Sequence, residues 1–91
     1  MDFPEDIELK IREDFNNHED RDLVRKILSD LVVKEKLRII RCILFVSKGN
    51  LDKLGEMEAL ANTDYRDVIM AGEYEYPTDK KLRDFNEPFN T

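Results

Sequence analysis

Residues 37–50 read Leu37-Arg38-Ile39-Ile40-Arg41-Cys42-Ile43-Leu44-Phe45-Val46-Ser47-Lys48-Gly49-Asn50, and this stretch decides the fold. Leu37, Ile39, Ile40, Ile43, Leu44 and Val46 follow no strict alternation, so the segment does not read as a half-buried strand. As a helix it carries apolar residues on most of its circumference, as expected of a central element touched by several others. Its end is marked chemically. Lys48 places a cation in the last turn, Gly49 suits a left-handed residue after the helix, and Asn50 is a natural N-cap for the next one.

Downstream, Leu51, Leu54, Met57, Leu60 and Ala61 supply the buried side of a fourth helix. The turn Ala61-Asn62-Thr63-Asp64 follows, with Thr63 or Asp64 capping a fifth helix whose apolar face is Tyr65, Val68, Ile69 and Gly72. Pro77 would stop any continuation. Residues 1–76 are therefore expected to form a helical domain, and residues 77–91 a polar C-terminal tail, extended or with one helical turn.

Upstream, Pro4 suits the first turn of a helix, and Glu5, Asp6 and Glu8 favour the positive end of its dipole. Ile7, Ile11 and Phe15 recur every four residues, with Leu9 alongside. Asn16-Asn17-His18 interrupts the pattern, because short amide side chains compete for backbone hydrogen bonds. A second helix then starts at Glu19 or Asp20, with Leu23, Val24, Ile27, Leu28 and Leu31 as its stripe. At about 100° per residue that stripe and the one over 37–44 point to nearly opposite sides of a common axis. A break near Val33-Lys34-Glu35-Lys36 resolves the conflict, although no glycine or proline marks it. The expectation is an all-α fold: a single small domain of about five short helices, arranged as an orthogonal bundle or as solenoid-like pairs, with the tail packed on its surface. Ninety-one residues suit one domain with one modest core.

Charge is segregated along the chain. Residues 1–22 carry nine acids and three bases, residues 23–55 eight bases and three acids, and residues 56–91 nine acids and four bases. A basic middle between acidic ends is expected to fold back on itself. The net charge of −6 opposes non-specific binding to nucleic acid. The start of the chain lacks the pattern of a signal peptide, and the longest apolar run is far shorter than the roughly 20 residues of a membrane span. One cysteine, Cys42, excludes an internal disulfide. The expectation is a small acidic cytoplasmic protein that does not engage the membrane.

Constellations that carry chemistry are missing. Cys42 lies among Ile39, Ile40, Ile43 and Val46, where burial would quench a thiol, and His18 is the single imidazole. Ser29 and Ser47 sit in no nucleophile elbow. One histidine and one cysteine cannot build a four-ligand zinc site. Glu19-Asp20-Arg21-Asp22 reads as a solvated helix start, and no glycine-rich loop precedes a helix. No catalytic residue, metal or cofactor is assigned. An enzyme would have to rely on groups such as Glu73 and Tyr74.

What remains is surface for a partner protein. Lys34, Arg38, Arg41 and Lys48 fall within roughly 80° on a helix, with Phe45 in the same sector, and suit an acidic partner unless they pair with Asp52, Glu56, Glu58 or the acidic N-terminal helix. Phe85 and Phe89 either dock on this domain, around Leu54, Met57 and Val68, or anchor a linear motif to a hydrophobic partner. The leading expectation is a non-enzymatic interaction module, with a second copy of the chain an admissible partner. The alternative is an acidic antitoxin- or immunity-like inhibitor of a basic nucleic-acid-binding protein, using Glu5, Asp6, Glu13, Asp14, Asp20 and Asp22.

Overall fold

Capping chemistry sets the helix ends. The computed structural model describes residues 2–75 and 80–89. Among them are five helices: α1 (Glu5–Asp14), α2 (His18–Ser29), α3 (Lys36–Ser47), α4 (Leu51–Thr63) and α5 (Tyr65–Glu73). The Asn17 side chain accepts from the Asp20 N–H at 2.8 Å, Asn50 from Lys53 at 2.9 Å, and Asp64 from Arg66 at 3.1 Å. Each satisfies one of the orphan donors that open a helix. Asp64, not Thr63, is thus the cap of α5, and Asn17 moves the start of α2 to His18. Pro4 sits one position before α1, and its carbonyl accepts from Ile7 and Glu8 at 3.1 Å. At the far end of α1, Arg21 reaches back from α2 to the carbonyls of Phe15 (2.6 Å) and Arg12 (3.2 Å).

The chain does break between α2 and α3, over residues 30–35. Leu31 is buried although it lies just past α2, whereas Val32 is 90% exposed. Glu35 adopts the left-handed conformation (φ 51°) and redirects the chain into α3. After α3 the left-handed conformation falls first on Lys48 (φ 49°) and then on Gly49 (φ 80°), one residue earlier than the glycine suggested. Gly49 is still required there, since a Cβ would lie 2.8 Å from the carbonyl oxygen of Asp14.

Helix α3 occupies the centre and packs against α1, α4 and α5, while α2 packs against α1 and α4. Ile39, Ile40, Cys42, Ile43 and Leu44 are fully buried, joined in the core by Ile7 and Ile11, Val24 and Leu28, Leu54, and Val68. Helix α5 meets α3 at close quarters, because Gly72 leaves room for Cys42; a Cβ at Gly72 would lie 2.8 Å from the Cys42 Cβ. No helix among the described residues is long and apolar enough to cross a membrane.

Beyond α5, a two-residue antiparallel ladder pairs β1 (Tyr74–Glu75) with β2 (Lys80–Lys81). The expected domain boundary between residues 76 and 77, and the stop at Pro77, lie outside the described residues. Residues 82–89 then run back across the domain. Phe85 is buried and Phe89 packs against the core. The ring and polar contacts of this segment lie on α1, α3 and the C-terminal end of α5, and Phe85 shares one buried core with Leu54, Met57 and Val68. Buried charges on α1, α3 and α5 offer partners for the tail's backbone.

Candidate functional site

The basic stripe expected on α3 is not a continuous face. Lys34 lies in the preceding connection and Lys48 beyond the last turn, both exposed and at opposite ends of the helix. Between them Arg38 and Arg41 turn inward, one turn apart, and each meets a carboxylate from a distant part of the chain. Arg38 grips Glu73 through two contacts of 2.7 Å, Nε to Oε2 and Nη2 to Oε1. Arg41 grips Asp6 at 2.9 and 3.3 Å. These forked pairs match guanidinium to carboxylate geometry. Lys81 approaches Glu73 Oε1 at 3.6 Å, and Arg38 also reaches Glu35 at 3.2 Å. A further forked pair, Arg25 with Glu8 at 3.0 Å, ties α2 to α1. Arg25, Arg38 and Arg41 of the basic middle therefore pair with both acidic ends, through Glu8, Glu73 and Asp6, while Glu56 pairs with Lys53 at 3.5 Å rather than with the stripe.

The tail completes this clasp. Glu73 Oε2 accepts the N–H of Phe85 at 3.1 Å, Arg41 Nη1 donates to the carbonyl of Phe85 at 3.2 Å, and Asp6 Oδ2 accepts the N–H of Phe89 at 3.1 Å. Arg83 donates to the Gly72 carbonyl at 2.7 Å and places its guanidinium 4.3 Å from the centre of the Phe45 ring. Phe45, Phe85 and Phe89 follow in series with centroids 5.4 Å apart, in tilted and edge-on arrangements that suit aromatic quadrupoles.

Electrostatics follow from this wiring. Burial alone would raise the Glu73 carboxyl, since Glu73 is fully buried, but Arg38, the Phe85 N–H and Lys81 together outweigh it and hold it below its ordinary value. Asp6 behaves alike: burial opposes ionisation, and Arg41 with the Phe89 N–H prevails. The Arg38 guanidinium is raised, chiefly by its hydrogen bonds to Glu73. Cys42 has no solvent contact, and burial, reinforced by the nearby Glu73 charge, pushes its thiol up to about 12. Its sulfur lies 4.0 Å from Glu73 Oε2. His18 is exposed at the first turn of α2.

Glu73 is the residue whose role is least visible beforehand. One signal exists: it lies four residues after Ile69, on the buried face of α5. An acid in that position calls for a partner. Among the acids of the inhibitor reading, Asp6 is in the clasp, Asp14 pairs with Lys10 at 3.2 Å and Asp22 with Arg25 at 3.3 Å. Glu5 and Glu13 are exposed, and Asp20 accepts from Asn17 at 3.1 Å.

Beside the clasp is an open cleft of about 400 Å³, lined by Glu35, Lys36, Leu37, Arg38, Arg41 and Asn86. A smaller hollow of about 100 Å³ lies on the other side of the tail, between α1 and the rings of Phe45 and Phe89. Among the described residues, no group of three His, Cys, Asp or Glu side chains could hold a metal ion. Comparison with family models, curated proteins and solved structures yields no match for this chain.

Proposed function

We propose that this chain is a non-enzymatic protein–protein interaction module, a small cytoplasmic adaptor or regulator. The observation that carries this reading is that the reactive groups in its interior are engaged in folding. Glu73 is ionised and fully partnered, and Cys42 is held as a thiol with its pKa near 12. Neither is poised to exchange a proton near neutral pH, which acid–base or thiolate catalysis requires.

The outer surface suits contact with another protein. Leu9, Leu23, Val32, Met70 and Leu82 are exposed apolar side chains in a chain rich in charge, Lys36 and Leu37 line the open cleft, and Lys34 is exposed in the connection that precedes α3. Arg38 and Arg41 line it while mostly buried in the clasp, and Phe85 and Phe89 act through the fold. The test is affinity capture with the native chain, followed by quantitation of what is retained. A protein retained in near-stoichiometric amount is expected. Retention of a small molecule alone, with turnover of that molecule, refutes the reading. Charge reversal at Lys34 and Lys36 should weaken the partner, whereas an acidic inhibitor would lose affinity on reversal of Glu5 and Glu13 instead.

A further inference from the structure

We infer that the cleft at the start of α3 receives an acidic side chain of a partner protein, flanked by aliphatic residues, on Lys36 and on the N–H groups of Arg38 and Arg41 that have no acceptor among the described residues. This rests on the interaction reading above and names its site and partner chemistry. The cleft, at about 400 Å³, falls within the range of pockets that enclose a ligand or an anchoring side chain. Its chemistry is set by two guanidiniums that the fold has already positioned.

A guanidinium carries five N–H donors. Arg38 uses Nε and one N–H of Nη2 on Glu73, and one of Nη1 on Glu35. Arg41 uses Nε and one N–H of Nη2 on Asp6, and one of Nη1 on the Phe85 carbonyl. Two N–H groups of each are left without an acceptor among the described residues. Both side chains are mostly buried, so their orientation is fixed before any partner arrives, and little side-chain entropy is lost on binding.

Glu35 shows what the site accepts. Its carboxylate reaches Arg38 through a single 3.2 Å contact, from a half-exposed side chain on a residue held at positive φ. An exposed contact of that kind is readily exchanged. A partner's carboxylate would take its place while using the neighbouring donors of Arg41. Lys36, which donates to the Ser29 carbonyl at 2.7 Å, keeps further N–H groups for the same anion, and Lys34, two residues earlier in the chain, is a further exposed cation. Glu73 and Asp6 balance Arg38 and Arg41, so the positive charge that attracts an acidic segment to this end of α3 comes from Lys34 and Lys36, against the single exposed acid Glu35. Leu37 supplies the apolar wall, which favours an aliphatic neighbour next to the acid.

The experiment titrates the ¹⁵N-labelled full chain with an acetylated, amidated peptide of sequence Gly-Leu-Glu-Leu-Gly, its Gln counterpart, and inorganic phosphate. The Glu peptide should shift the amide signals of residues 35–41 and Asn86, and the Gln peptide should bind about tenfold more weakly for want of one charge-assisted contact. Glu35→Gln, which removes the built-in competitor from an exposed position, should tighten the Glu peptide, and Lys36→Glu should weaken it by about tenfold. Melting curves of both variants verify that the fold is kept. Equal binding of the two peptides, shifts confined to another face, or a tighter response to phosphate than to the Glu peptide would each overturn the assignment. If a captured partner protein binds Lys36→Glu as well as it binds the native chain, the cleft assignment falls while the interaction reading stands. A retained substrate with turnover removes the interaction reading whatever the peptide does.

Discussion

Replacing Arg38 with methionine tests whether the clasp holds the fold together. Glu73 is fully buried and takes two 2.7 Å contacts from Arg38, whose own side chain is 15% exposed. Arg38→Met would leave Glu73 with the Phe85 N–H at 3.1 Å and Lys81 at 3.6 Å. Removing one partner of a buried pair costs about 3–5 kcal/mol. Against the roughly 5–15 kcal/mol typical of a domain, that is a large fraction of the total. In Arg38→Met/Glu73→Met the uncompensated charge disappears, and apolar replacement of a buried pair is often near neutral. Here the double variant should recover most but not all of the loss, because the buried Phe85 N–H would be left without its acceptor, at about 1–3 kcal/mol. Urea unfolding at pH 7 measures the cycle, with an unchanged dependence on denaturant checking that the unfolded state is comparable. A loss below about 1 kcal/mol for Arg38→Met would mean that the pair behaves as an exposed one, and the argument for a structural clasp would fail.

Four further outcomes follow from the structure. Asp6 and Glu73 are held below their ordinary values of 3.8 and 4.5, so the stability they contribute is complete above those values and is lost as pH falls through the lowered ones. Stability should be flat from about pH 8 to 5 and fall as acid is added below about pH 4, and hydrogen exchange should show the Phe85 and Phe89 amides losing protection over the same range in which stability falls; stability that does not change between pH 5 and the acid limit of the titration would contradict this. Phe85→Ala should cost about 3–5 kcal/mol and Phe89→Ala clearly less, since Phe89 is only half-buried; equal effects in urea unfolding would place the tail differently. Among glycines, Gly55→Ala should stabilise α4 by about 1 kcal/mol, because nothing lies within 4 Å of the new Cβ. Gly72→Ala should instead destabilise, and Cys42→Ala should not rescue it, because the residual Cβ at position 42 still lies 2.8 Å away; rescue in a thermal melt would refute the packing assigned to α3 and α5.

Much of the fold is legible one turn at a time. Asn17, Asn50 and Asp64 act on backbone groups two or three residues away, so their capping roles follow from the linear chain. The apolar stripes likewise report a face of one helix without reference to any other, which is why the five elements, the central place of α3 and the buried state of Cys42 are all readable in advance. The break between α2 and α3 is legible only as a conflict between two stripes; it falls at Glu35 as well as before it, and the left-handed conformation that Glu35 adopts there is announced by no local residue preference.

The clasp belongs to a different class of information. Segregated charge determines that the basic middle meets the acidic ends, because attraction between opposite charges does not depend on which residues carry them. It does not determine which acid meets which base among 21 acids and 15 bases. Arg38 finds Glu73 and Arg41 finds Asp6 across 35 residues, and the Phe89 N–H finds Asp6 across 83. Those choices were made by helix packing: the Gly72–Cys42 approach brings the end of α5 against α3, and burial of Ile7 and Ile11 brings α1 to its other side. Once those faces were joined, two guanidiniums lay beside two carboxylates in an interior where unpaired charge is costly. The tail's aromatic residues could then be seated only where buried acceptors and a donor awaited their backbone. Residue type and spacing determined the helices and the presence of a charged fold-back; the partners of each charge, and the cleft beside them, were decided by packing alone.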